Sequence, residues 1–136
     1  METLLLELEA LQRDAQLQSA IDELIDDWTR RDIGLEGVEA ALRFIERYPS
    51  LDLGKPGNLV HFVETYYRKG YEEALLRSFA RKPTELSTWM LNRLINGTQA
   101  ADELDIYISA LERAETDQDT EAGTREQISH FLDREA

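Results

Sequence analysis

The sequence contains no cysteine and only three prolines, and its shortages already exclude several classes of protein. Without cysteine there is no disulfide framework and no thiolate metal site, and such a composition suits a reducing compartment. No stretch approaches the roughly 18 continuous apolar residues of a membrane-spanning helix. The first residues also lack the basic and apolar regions of a signal peptide. We therefore expect a soluble, cytoplasmic protein that does not associate with membranes.

Basic residues are scarce, because 15 Lys and Arg stand against 28 Asp and Glu, which gives a net charge of −13. The acidic excess lies at the two ends: residues 1–27 carry −7 and residues 101–136 carry −8, whereas residues 48–100 carry +2. Such a field repels nucleic acid and anionic membranes and speeds the encounter with a basic partner. Solubility alone would also explain the charge. We expect no direct binding of nucleic acid.

The spacing of apolar residues is helical along almost the whole chain, and no stretch alternates as a β-strand would. It predicts helices over residues 2–13, 15–31, 35–48, 57–68, 71–81, 84–96, 99–115 and 124–134. Short connections favour antiparallel neighbours. We therefore expect a single all-α domain over residues 1–136, with antiparallel helix pairs in a bundle or a short repeat-like stack. The polar segment 116–123 is predicted to be a mobile loop.

Particular residues predict where the helices begin and end. Gly54 and Pro56 indicate a linker after the third helix, and Gly70 is expected to close the fourth in a left-handed conformation. Gly97 stands at the C-terminal cap position of the sixth helix, and Thr98 is placed to cap the seventh. A capping box is predicted for the last helix by the three-residue spacing of Thr124 and Gln127.

The stretch STWMLNRLING, residues 87–97, forms a helix with two different faces at 100° per residue. Its apolar arc consists of Met90, Leu91, Leu94 and Ile95, and its second arc consists of Trp89, Asn92, Arg93 and Asn96. In one interpretation this second arc packs against neighbouring helices, with Arg93 paired to a carboxylate. In another it is an exposed patch whose composition is typical of binding hot spots. An active site is the third possibility.

Acidic residues on the second and seventh helices are candidates for a partner-binding surface. Asp22 and Asp26 are like charges four residues apart, which destabilises a helix by a few tenths of a kcal/mol. A sequence that retains such repulsion is expected to use the charge on a partner, although a solvated helix face would also explain it. The predicted surface comprises Asp22, Glu23, Asp26, Asp27, Asp102, Asp105, Glu112, Glu115, Asp117 and Asp119.

Motifs for catalysis are missing, since the chain has neither a phosphate-binding glycine loop nor a nucleophile elbow. His61 and Glu64 have a spacing that can ligate metal, but a di-metal bundle needs that motif twice plus two further carboxylates. The chain has only two histidines. We expect a His61–Glu64 surface pair, no metal, no cofactor and no enzymatic activity.

One block of the chain, about a third of it, carries a family resemblance: GKPGNLVHFVETYYRKGYEEALLRSFARKPTELSTWMLNRLING, residues 54–97. It resembles small, acidic, all-helical immunity proteins of bacterial polymorphic-toxin and contact-dependent growth inhibition systems. The resemblance implies a cytoplasmic antidote that binds and neutralises a cognate toxin domain, but it identifies no contact residues. We expect the toxin to be basic, as a nucleic-acid-targeting toxin would be. The alternative is a helical scaffold or adaptor that binds a peptide or a larger assembly.

Overall fold

A computed structural model describes residues 1–53 and 57–135 of the protein. Within these ranges the chain forms eight α-helices and no β-strand, which confirms the predicted all-α class. No described helix combines the length and the hydropathy needed to cross a bilayer. The helices are α1 (Glu2–Glu9), α2 (Leu17–Arg30), α3 (Leu35–Arg47), α4 (Gly57–Glu64), α5 (Tyr71–Arg81), α6 (Glu85–Gly97), α7 (Ala101–Thr116) and α8 (Ala122–Glu135).

The chain divides into two compact units, Met1–Ala74 and Leu75–Ala136. The first unit contains α1 to α4, and the second contains α6 to α8. Helix α5 crosses the division between them. The single domain predicted over residues 1–136 stays a prediction. The predicted linker at Gly54 and Pro56 lies outside the described residues.

The first unit is built from three helix contacts: α1 with α3, α2 with α4, and α3 with α4. Apolar residues three and four positions apart give each helix one face for burial, and burial of that face supplies most of its stability. The larger buried side chains of this core are Leu4, Leu5, Leu8, Ile21, Ile25, Trp28, Val38, Leu42, Phe44, Ile45, Leu59, Val60 and Val63.

Helices α3 and α4 approach closely because Gly37 has no side chain. A Cβ atom built at Gly37 would lie 2.9 Å from Cζ of Phe62 and 3.2 Å from Cγ2 of Ile33. The glycine therefore lets the Phe62 ring lie directly on the backbone of α3. This contact fixes the position of Phe62, which the binding groove described below depends on.

A hydrogen-bond network joins the end of α1 to the end of α3. The hydroxyl of Tyr48 donates to Oε2 of Glu9 at 2.9 Å, and Nη1 of Arg47 donates to the same oxygen at 3.0 Å. Gln12 donates to the Tyr48 hydroxyl at 3.1 Å. The hydrogen bonds from Tyr48 and then Arg47 hold the pKa of Glu9 below its usual 4.5. The bond to Glu9, with burial second, raises the pKa of Tyr48 above 10.0.

The second unit consists of α6 packed against α7 and α8, with α7 and α8 also in contact. The predicted apolar arc of α6 is buried in full, and the larger buried side chains here are Met90, Leu91, Leu94, Ile95, Tyr107, Leu111, Ile128 and Phe131. A capping box begins α6, since the Ser87 amide donates to Oγ1 of Thr84 at 3.1 Å and the Thr84 amide donates to Oγ of Ser87 at 3.0 Å. Each side chain thus satisfies an N-terminal amide.

Helix α4 ends at Glu64, earlier than the predicted residue 68, so Gly70 does not close it. Oγ1 of Thr65 donates to the Phe62 carbonyl at 2.6 Å, and a series of turns follows. In these turns Arg68 has a φ of 65° and Gly70 a φ of 105°. Gly70 is left-handed as predicted, but it belongs to the turn that leads into α5.

Two predicted signals around the start of α7 are wrong. Gly97 is the last residue of α6 and has no left-handed conformation, and Thr98 after it is extended, with a φ of −88° and a ψ of 145°. Thr98 lies too far from α7 to be its cap, because the helix begins at Ala101. Its Oγ1 instead accepts from the Ala100 amide at 3.2 Å and donates to Glu103 at 2.6 Å.

The predicted capping box of the last helix does not form, because α8 begins two residues earlier than predicted, at Ala122. Thr124 is therefore inside the helix and buried. The side chain of Gln127 donates to the carbonyl of Glu85 at 3.1 Å. A contact with another helix has replaced the local contact that the spacing predicted.

The loop before α8 is confirmed as a loop but is shorter than predicted, spanning residues 117–121. The amide of Asp119 donates to Oδ1 of Asp117 at 2.9 Å. Nη2 of Arg125 donates to the carbonyls of Asp117 and Thr120 at 2.6 and 3.1 Å. The mobility of this loop stays a prediction.

Candidate functional site

A groove with a volume of about 520 Å³ lies in the first unit, between α2 and α4. On one side it is lined by α2 and the following turn, with Asp22, Ile25, Asp26, Trp28, Thr29, Asp32 and Ile33. On the other side it is lined by α4 and the following turn, with Asn58, His61, Phe62, Thr65 and Tyr66. Spacings of three and four residues bring these side chains to one face of each helix.

The turn after α2 brings a third aspartate to the groove. The Asp32 amide donates to the Thr29 carbonyl and the Ile33 amide donates to the Trp28 carbonyl, both at 3.2 Å. This is the hydrogen-bond pattern of a Schellman motif, with Asp32 in the left-handed position at a φ of 53°. Aspartate tolerates this conformation better than most residues. The motif turns the chain so that Asp32 lines the groove behind Asp22 and Asp26.

The groove contains a row of three aromatic rings. Trp28 and Phe62 meet edge to face with ring centroids 5.8 Å apart, and Phe62 meets Tyr66 in the same way at 5.7 Å. Trp28 is fully buried and Phe62 nearly so. Each such pair contributes about 0.5–1.5 kcal/mol beyond the burial of its area. The apolar part of the groove is therefore held in place by the core.

The acidic residues of α2 fall into two sets. Asp27 forms ion pairs with Nε of Arg31 at 3.0 Å and Nη2 of Arg30 at 3.8 Å. The three aspartates that line the groove, Asp22, Asp26 and Asp32, have no ion pair within the described ranges. The negative charge that the helix leaves uncompensated is therefore concentrated at the groove.

Trp28 contributes an unusual polar atom to this site. Its indole Nε1 is buried and has no hydrogen-bond partner in the part of the chain that the structure describes. A buried donor without an acceptor costs about 1–3 kcal/mol. Since Trp28 lines the groove, a bound molecule that brought an acceptor to Nε1 would remove this penalty.

The other predicted acidic residues lie in the second unit, on α7 and the following loop. Asp102, Asp105, Glu112, Asp117 and Asp119 are exposed, and Glu115 is half-buried. Two of them have local structural contacts: Glu115 accepts from Oγ of Ser129 at 2.5 Å, and Asp117 accepts from the loop amide described above. The part of this set in partner binding stays a prediction, as does that of Glu23, which is exposed on α2 but does not line the groove.

The predicted second patch on α6 is only partly at the surface. The Arg93 guanidinium lies over the Trp89 ring at 4.9 Å, and Asn96 is exposed. Asn92 is buried, with 6% of its surface exposed, and its Oδ1 has no partner among the described residues. The placement of Asn92 on an open face was wrong, because α6 packs against both α7 and α8 and its buried arc is wider than one apolar stripe.

His61 belongs to the groove, where the sequence predicted only a surface pair with Glu64. In residues 1–53 and 57–135 no three His, Asp or Glu side chains are placed to hold a metal ion. The pairing of His61 with Glu64 stays a prediction.

The sequence analysis missed most of the groove, including Asp32, Asn58, Thr65 and Tyr66. The available signal was a run of polar residues at helical spacing on α4, beginning at Asn58 and continuing through His61 to Thr65. That signal gains meaning only when α4 is known to pack beside α2. Helix adjacency of this kind is a long-range property that periodicity does not reveal.

Comparison with known proteins gives no relative: no family model, no curated protein and no solved structure matches the chain. The fold and the groove therefore define the protein only as an all-α protein with an acidic, aromatic-lined groove in its first unit.

Proposed function

We propose that the protein is an immunity protein that binds a cognate bacterial toxin domain and neutralises it by direct contact. The observation that carries this proposal is the division of the α2 carboxylates. Asp27 is compensated by arginines, whereas Asp22, Asp26 and Asp32 surround the groove without an ion pair among the described residues. The resemblance of residues 54–97 to immunity proteins supports the same function.

The expected partner is a basic toxin domain. A domain that attacks nucleic acid carries lysines and arginines to bind phosphate, and a protein with a net charge of −13 attracts it. Complementary charge raises the association rate and helps to select the correct partner. A stable complex needs roughly 800 Å² from each partner, so the groove would be the centre of a larger contact surface.

The proposed inhibition is stoichiometric and non-enzymatic. The antidote acts in the cytoplasm by occupying the toxin surface, and it needs neither a cofactor nor a metal for this. Whether the groove covers the toxin active site depends on the toxin.

The decisive experiment begins with the gene immediately upstream. Its C-terminal domain is expected to be toxic when expressed alone and harmless when expressed with this protein. The two proteins should purify as a one-to-one complex whose association slows as salt rises. A non-toxic neighbouring product, or a toxic one that neither binds this protein nor loses toxicity in its presence, would refute the immunity function.

A helical adaptor that binds a basic peptide is the second candidate, since a groove of about 520 Å³ would suit a short segment. Gene deletion separates the two functions. Loss of an antidote kills the cell unless the toxin gene is deleted as well, whereas loss of an adaptor gives no such dependence.

A further inference from the structure

The groove has the charge of a site for a cation. Asp22 and Asp26 are one helical turn apart, so their Cβ atoms are roughly 6 Å from each other. Asp32 lies in the same lining, where the Schellman turn places it. A single cationic group between these carboxylates would relieve their mutual repulsion.

The aromatic rings distinguish between kinds of cation. Phe62 and Tyr66 line the groove together with the carboxylates. A guanidinium group is planar, weakly hydrated and able to stack on aromatic rings, and its five N–H donors can serve several carboxylates at once. An ammonium group is compact and strongly hydrated. The combination of aromatic rings and several carboxylates therefore favours arginine over lysine.

The indole of Trp28 adds a separate requirement, because Nε1–H is a donor and needs an acceptor. A guanidinium group has no acceptor, so an isolated cation would leave Nε1 as it is. A peptide bond next to the arginine supplies a carbonyl oxygen. The buried donor thus points to a polypeptide segment in preference to a free cation or a polyamine.

We infer that the groove holds an arginine of the partner, with its guanidinium group among Asp22, Asp26 and Asp32 and a neighbouring backbone carbonyl accepting from Nε1 of Trp28. The inference rests on the proposed function for the identity of the partner, since the toxin domain would supply the arginine. The groove would then be the point at which the immunity protein recognises one particular residue of its toxin.

The test uses Nα-acetyl-arginine methylamide, which carries both the guanidinium group and carbonyl acceptors. The chain has two tryptophans, so its NMR spectrum contains two indole N–H signals, which Trp89→Phe assigns. The arginine derivative should shift the Trp28 signal in a saturable way. The lysine derivative should bind at least about threefold more weakly, and the uncharged citrulline derivative should not shift the signal.

Charge variants on α2 provide the matched comparison. Asp22→Asn and Asp26→Asn should each weaken binding of the arginine derivative about two- to fivefold, the range of partly exposed ion pairs. Glu23→Gln removes the same charge from the same helix outside the groove and should have little effect. The groove inference is wrong if the Trp28 signal does not respond, if citrulline acts as well as arginine, or if both aspartate variants bind normally.

A second titration with the toxin domain separates this inference from the proposed function. Binding of the toxin that leaves the Trp28 signal unmoved and is unaffected by Asp26→Asn would overturn the groove assignment and leave the immunity function standing. Binding of the arginine derivative in the groove, together with no interaction with the toxin, would overturn the immunity function. A toxin that shifts the Trp28 signal and loses affinity with Asp26→Asn supports both.

Discussion

Replacing Asp26 by asparagine should stabilise the free protein and weaken its complex with the toxin domain. Asp26 and Asp22 repel each other across one helical turn, which costs about 0.2–0.5 kcal/mol. Asparagine and aspartate have similar helix propensities, so the substitution isolates the charge. The free energy of unfolding should therefore rise by about 0.2–0.5 kcal/mol, whereas the toxin complex should weaken at least about fivefold if a partly buried ion pair is lost.

Both quantities can be measured on the same variants. Urea unfolding at low ionic strength gives the stability, and calorimetric titration with the toxin domain gives the affinity. Glu23→Gln is the control, because it also removes an acidic charge from α2 but lies outside the groove. It should give a similar small gain in stability with no loss of affinity.

The double variant sharpens the test. Removing either Asp22 or Asp26 abolishes the same repulsion, so the two stability gains should not add in Asp22→Asn/Asp26→Asn. The losses in affinity should accumulate. A fall in stability for Asp26→Asn would refute the reasoning, since it would mean that Arg30, four residues further on, pairs with Asp26 in the free protein.

Three other substitutions test the fold. Gly37→Ala should destabilise the protein by about 1–2 kcal/mol in urea unfolding, because the new methyl group would overlap the Phe62 ring at 2.9 Å. Gly97→Ala should instead stabilise it by up to about 1 kcal/mol, because this glycine is helical and a Cβ there has no atom within 4 Å; a left-handed Gly97 would give the opposite sign. Tyr48→Phe should change the pH dependence of the urea midpoint. The lowered pKa of Glu9 gives a contribution that is present above pH 4.5 and lost as pH falls through the folded pKa, so the acid decline should be shallower in the variant. The raised pKa of Tyr48 gives a contribution that is present below pH 10.0 and lost as pH rises through the folded pKa, and this alkaline decline should be absent. Identical pH profiles for the two proteins would contradict the proposed role of the hydrogen bond.

The sequence predicted the helices because their signal is local. Helix α5 begins and ends where expected, at Tyr71–Arg81, and α3 ends one residue earlier than predicted, at Arg47. The apolar arc of α6 is buried as predicted. Each of these predictions depends only on the spacing of apolar residues and on proline or glycine at the ends.

The predictions that failed are those in which a local contact competes with a distant one. Thr124 and Gln127 have the spacing of a capping box, but Gln127 donates to the carbonyl of Glu85 on another helix. Asn92 falls on the polar side of a helical wheel and is nevertheless buried. In both cases a neighbouring helix, which the spacing of residues does not specify, decided the result.

The groove illustrates the same limit for charge. Pairing at four residues favours Asp26 with Arg30 and Asp27 with Arg31 equally, yet both arginines lie at Asp27. Arg31 also binds Oε1 of Glu7 at 3.0 Å, which ties it to α1. The positive charge of α2 is thereby drawn to the side that carries Glu7 and Asp27, and the carboxylate of Asp26 is left at the groove beside α4. A partner that supplies the missing positive charge at this groove would complete a neutralisation that the helix has carried out on its other side.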